Sequence, residues 1–102
     1  MSLIGRKKTS GDEPVITKQL VLKNRLGLHA RPAAMFVKIA TRFESEIFVE
    51  KDGEEVNGKS IMGLMMLAAG CGSKLKVSIQ GSDAEKLMAE IEKLIANKFD
   101  EE

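Results

Sequence analysis

The chain has 102 residues, 43% hydrophobic and 30% charged, with a formal net charge of +1, one cysteine and one histidine. That length suits one domain with a modest core; a single cysteine excludes an internal disulfide framework, and the lack of Cys/His clusters argues against a metal site or a bound cofactor. No apolar run nears the roughly 20 residues of a bilayer-spanning helix, and Arg6, Lys7 and Lys8 lack the apolar stretch of a signal peptide after them, so a reduced, cytoplasmic protein without membrane insertion is expected.

Residues 1–14 are polar and broken by Ser10-Gly11 and Pro14, which reads as a flexible extension. Val15–Leu22 is a β-branched and aliphatic run, a first strand of imperfect alternation. After the loop Lys23–His29, apolar residues at Ala33, Phe36, Val37, Ala40 and Phe43 have the spacing of an amphipathic helix over Pro32–Phe43. Glu46–Lys51 reads as a second strand, Asp52-Gly53 as a hairpin turn, and the surroundings of Val56 as a third strand pairing back. Ser60 is placed to cap a helix over Ile61–Ala69, which Gly70-Cys71-Gly72 stops. In Lys74–Gln80, Leu75, Val77 and Ile79 alternate with Lys76, Ser78 and Gln80, the pattern of a strand with one buried face. Gly81 turns the chain, Ser82 or Asp83 caps, and a last helix to about Asn97 carries the stripe Leu87, Met88, Ile91, Leu94 and Ile95. The order β-α-β-β-α-β-α gives an α+β open-faced sandwich: a four-stranded antiparallel sheet covered on one side by three helices. The domain is expected over 15–98, with 99–102 an acidic tail.

The middle helix is too apolar for one buried face. Ile61, Met62, Leu64, Met65, Met66 and Leu67 point nearly all round. Either the helix is sandwiched between others, or a Met-rich patch is left for a partner. One consistent phase buries Leu64 and Leu67 and exposes Ile61, Met62 and Met65.

Charge is unevenly spread. Val15–Phe43 holds six basic residues and no acid, and Glu44–Glu55 holds six acids against Lys51. His29 lies in the basic block, which attracts phosphate-bearing ligands or acidic protein surfaces. A lone histidine is often only structural. This one stands before a Pro-started helix, whose unpaired N–H groups and dipole favour an anion, with Arg31 adjacent and no acid nearby in sequence. No triad nucleophile accompanies it. Direct covalent catalysis by the imidazole remains, with Arg31 pairing a phosphoryl group.

Gly27-Leu28-His29-Ala30-Arg31-Pro32-Ala33-Ala34, with Ser60 in Lys59-Ser60-Ile61-Met62-Gly63 downstream, resembles HPr, the histidine-containing phosphocarrier family of the bacterial phosphoenolpyruvate-dependent sugar phosphotransferase system. The resemblance covers about residues 15–98. It implies a carrier rather than an enzyme, phosphorylated on the δ nitrogen of His29 by enzyme I and dephosphorylated by enzyme IIA domains in sugar uptake. By the same resemblance Arg31 steadies the phosphoryl group, Ile61, Met62 and Met65 form the docking patch, and Ala30 and Ala34 flank the histidine on that face. Ser60 is either a helix cap or the serine that a dedicated HPr kinase/phosphorylase modifies, or both. The chain departs from the family in its extra residues 1–14 and in Cys71 near the docking side.

Three readings follow. The first is a phosphocarrier, expected as a monomer. The second is a regulatory effector or corepressor acting through phosphorylated Ser60. The third, a nucleic-acid-binding domain using the basic block, is the weakest, since the chain has no Trp or Tyr for stacking and four Phe.

Overall fold

A computed structural model of the chain describes residues 15–101; the expected N-terminal extension and Glu102 lie outside them. Four strands, β1 (Val15–Val21), β2 (Glu46–Lys51), β3 (Glu54–Asn57) and β4 (Lys74–Gln80), and three helices, α1 (Ala30–Ala40), α2 (Ile61–Met66) and α3 (Ala84–Ala96), follow the expected order. The sheet order is β1-β4-β2-β3 with every pair antiparallel. This is the α+β open-faced sandwich expected from the pattern.

The alternation in β4 decides which face is covered. Leu75, Val77 and Ile79 are fully buried, and Ile47 and Val49 of β2 stand beside Ile79 and Val77 in register. Onto this face α3 lays its whole stripe, with Leu87, Met88, Ile91, Leu94 and Ile95 buried, and α1 contributes Ala33, Phe36 and Ala40. The imperfect alternation of β1 has a structural reason. Lys18 pairs with Val77 and so shares the helix-covered face, where its ammonium meets Glu92 of α3 at 3.0 Å. A charge on an edge strand also discourages sheet-to-sheet association. On the open face Ser78 is buried all the same, because Thr17 and Phe48 stand beside it and the Thr17 hydroxyl donates to its Oγ.

The Asp52-Gly53 turn holds φ of 51° and 85°, the positive pair that a tight hairpin requires. Three helix ends, and the bonding of one cap, differ from the sequence reading. α1 begins at Ala30, so Pro32 is its third residue rather than its first; Pro is tolerated there because the first-turn N–H groups have no partner within the helix. The same helix stops at Ala40, short of Phe43. α2 ends at Met66, as Ala68 turns left-handed at φ 51°. Asp83 occupies the N-cap of α3 but makes no cap bond; its carboxylate accepts instead from the N–H groups of Glu44 and Ser45 and from the Ser45 hydroxyl. These three donors hold its carboxyl below the usual Asp value, the Ser45 hydroxyl contributing most.

The largest difference is at 99–101. Phe99 is fully buried in the core, and Lys98, Phe99 and Asp100 all hold positive φ in one tight turn. Glu101 is thereby turned back towards the start of α1. Residues 99–101 of the segment read as an acidic tail are part of the domain, because the aromatic side chain of Phe99 has core to fill.

Candidate functional site

The loop between β1 and α1 carries the histidine, and backbone contacts with the loop after α2 fix its path. Leu22 N–H donates to Ser73 C=O, Gly72 N–H to Leu22 C=O, and Leu28 N–H to Ala69 C=O at 2.8 Å. Gly27 lies against Ala69 and Gly70 at φ 71°, too close for any side chain. His29 is then delivered to the N-cap of α1 in an extended conformation, and its side chain caps nothing. Its backbone C=O accepts from Ala33 N–H. The N–H groups of Ala30 and Arg31 have no acceptor among the described residues.

The imidazole is partly exposed and its Nε2 lies 2.7 Å from Oε2 of Glu101. The same oxygen is 3.7 Å from Nη2 of Arg31. The other oxygen of Glu101 accepts from the side-chain amide of Asn24 at 3.0 Å, and that amide also donates to Gly27 C=O at 2.8 Å. The Asn24 amide is the main cause that holds the Glu101 carboxyl below its usual value, with His29 and Arg31 adding to it and burial opposing. Arg25, Leu26, Arg31 and Glu101 line a shallow depression of about 320 Å³ beside the ring. The basic block around His29 therefore receives an acid after all, from 72 residues away in sequence.

The other residues singled out in the sequence fall as follows. Ala30 is exposed and Ala34 half-buried, on the turn that begins at the histidine. Ser60 caps α2, its Oγ accepting from Gly63 N–H at 2.9 Å. Leu64 and Leu67 are buried, whereas Ile61, Met65, Met66 and above all Met62, 73% exposed, stand out from the surface. The helix is thus not sandwiched: it packs beside α1 and along β3 and leaves an apolar face uncovered. Leu26, 68% exposed, is a further apolar side chain beside the depression.

Sequence reasoning missed Asn24 and Glu101. A signal for the second existed: a lone Phe among acids after the last helical stripe must be buried, and it carries its neighbours with it. Cys71 is exposed and bonds weakly to Lys23 C=O at 3.8 Å. Among the described residues no group of three or more His, Cys, Asp or Glu could hold a metal ion, and no helix is long and apolar enough to cross a membrane.

Taken together, the site offers a ring nitrogen and two backbone N–H groups without an acceptor among the described residues, next to a shallow depression that carries two guanidinium groups. That arrangement can hold a phosphoryl group without enclosing it.

Comparison with known proteins bears on the same residues. A family model described as "PTS HPr component phosphorylation site" matches residues 16–97. The phosphocarrier protein HPr of Treponema pallidum is 48% identical over 88 residues, covering 86% of this chain and all of the relative. The HPr-like protein Crh of Halalkalibacterium halodurans is 54% identical over 74 residues, 72% of this chain and 88% of the relative. The solved HPr of Thermoanaerobacter tengcongensis superposes with a TM-score of 0.82 at 47% identity, covering 85% of this chain and 98% of that one; a second structure from that organism is an HPr dimer, with a TM-score of 0.67 at 49% identity over 78% of this chain and 92% of that one.

Proposed function

The chain belongs to the HPr family, and on that premise we propose that it accepts a phosphoryl group on His29 from enzyme I and passes it to enzyme IIA domains, serving sugar uptake and its regulation. One observation supports this above the rest: the only histidine stands part-exposed at the start of α1, beside Arg31 and two N–H groups with no acceptor among the described residues. An anion bound to the ring would meet the positive end of the helix and a guanidinium. The opening is shallow, as a carrier needs, because a group held too tightly could not be handed on.

In this reading the protein is a cytoplasmic carrier rather than an enzyme, and its partners complete the chemistry. They dock on Ile61, Met62 and Met65, with Ala30 and Ala34 at the edge of the contact. The chain works as a monomer, since a dimer closed over that patch would shut partners out. Incubation with phosphoenolpyruvate and its cognate enzyme I should place an acid-labile phosphate on the protein that His29→Ala abolishes. A wild type that takes no label overturns the reading.

Ser60 supports a second, regulatory reading. Its Oγ caps α2 within the stretch that also carries the exposed Ile61 and Met62. A phosphate there, set by an HPr kinase/phosphorylase, would add negative charge at the edge of the patch and change which partner binds. ATP and that kinase should give an acid-stable label, absent from Ser60→Ala. If Ser60 only caps the helix, no such label forms.

A further inference from the structure

We infer that Glu101 is a positioning residue for phosphoryl transfer: its carboxylate, held by Asn24, fixes His29 as the tautomer protonated on Nε2 and so leaves Nδ1 as the nucleophile. The inference rests on the reading of His29 as the phosphoryl acceptor and assigns roles to two residues outside the His29/Arg31 pair.

The donor and acceptor pattern leads there directly. A carboxylate only accepts hydrogen bonds, so at 2.7 Å the proton between Glu101 and a neutral His29 ring belongs to Nε2. Nδ1 then carries the lone pair, and among the described residues it has no hydrogen-bond partner. The same logic orients Asn24. Its Nδ2 faces two acceptors, Gly27 C=O at 2.8 Å and Glu101 Oε1 at 3.0 Å; the reversed amide would set oxygen against oxygen. Both N–H groups of this fully buried amide are spent on holding the loop and the carboxylate. Its Oδ1 is left buried without a partner among the described residues, a cost that a purely structural residue at this position would avoid.

The chain also accepts strain to bring Glu101 in. Lys98, Phe99 and Asp100 hold φ of 55°, 54° and 60° in succession, a left-handed run that residues with a Cβ seldom adopt. Such strain persists where both ends are tied. Phe99 in the core ties one end, and the bonds of Glu101 to Asn24 and His29 tie the other.

During transfer the Nδ1 lone pair forms the new N–P bond while the bond from phosphorus to the donor atom of enzyme I breaks. The donor atom leaves with the electron pair of that bond. Nε2 keeps its proton throughout, and the positive charge that gathers on the His29 ring lies against the Glu101 carboxylate. Arg31, 3.7 Å from the same carboxylate, is free to turn to the arriving phosphoryl oxygens. The lowered proton affinity of Glu101 keeps it ionised for this role at neutral pH.

The test reads the ring itself. Nitrogen-15 spectra of the His29 imidazole in mildly alkaline buffer should show the Nε2–H form in the wild type and a mixture of both tautomers in Glu101→Ala. Phosphorylation by enzyme I should fall on the order of 10–100-fold in that variant, the loss seen when partners that orient metal-bound histidines are removed. Glu101→Gln, whose carbonyl still accepts from Nε2–H, should recover part of both. Asn24→Ala, with its fold checked by amide spectra, should move the tautomer ratio in the same direction. Unchanged ring spectra and rate in Glu101→Ala, with the wild type still labelled, overturn the role of Glu101 alone. A wild type that takes no label at all overturns the carrier reading and this role with it.

Discussion

A Cβ added to Gly27 would lie 2.2 Å from the carbonyl oxygen of Ala69, the same oxygen that accepts the N–H of Leu28 at 2.8 Å. The loop bearing His29 is therefore pressed, backbone on backbone, against the loop that leaves α2. Gly27→Ala should destabilise the fold by about 2–4 kcal/mol, combining the positive φ with the overlap. Thermal unfolding should show the melting point falling by roughly 10 °C or more. A variant as stable as the wild type would show that the two loops are not in contact in solution.

Phe99 is core although it lies past the last helical stripe. Phe99→Ala should cost about 3–5 kcal/mol, read as a lower urea midpoint. The same variant should slow phosphorylation by enzyme I under conditions where it is still folded, because Glu101 loses its anchor. An effect below 0.5 kcal/mol would mean that the segment is an exposed tail.

The Asp83 carboxyl is held below its usual value of 3.8, and the Glu101 carboxyl below its usual 4.5. A folded-state value below the unfolded one means stabilisation that is fully present above the unfolded value. It is lost as pH falls through the folded one. The protein should therefore lose stability progressively on acidification from about the ordinary carboxylate range downward, and Asp83→Asn should flatten that slope. At neutral pH the same change should cost about 1–3 kcal/mol, since three donors from Glu44 and Ser45 lose an ionised acceptor. Urea titrations across acid pH measure both, and an unaltered slope in Asp83→Asn would contradict the assignment.

On α2, neighbouring positions should respond in opposite ways. Met62→Glu, at a side chain 73% exposed, should change stability by no more than about 0.5 kcal/mol while weakening enzyme I binding at least tenfold. Leu64→Ala, at a fully buried position, should cost about 2–5 kcal/mol. Calorimetry for binding and urea unfolding for stability separate the two. A large stability loss in Met62→Glu would place that side chain in the core.

Much of this was legible in the residues alone. The alternation of Leu75, Val77 and Ile79, the stripe from Leu87 to Ile95, the Asp52-Gly53 turn and the Ser60 cap are local: each depends on neighbours a few positions away. The same local logic offers Ser82 or Asp83 as the cap of α3; Asp83 holds that position, but its carboxylate makes no cap bond. Its carboxylate found three donors at residues 44 and 45, on a loop that no nearby pattern points to.

The sequence by itself determined the element order, the covered face of the sheet and the histidine at the head of α1, because periodicity and capping act over a turn or two of chain. Only the tertiary structure decided that Lys18 faces Glu92, that Phe99 fills the core, and that Glu101, steered by Asn24, stands at the ring of His29. These pairings join residues far apart along the chain. They exist because the chain closes on itself around one core, and a short-range pattern carries no record of where that closure brings its ends.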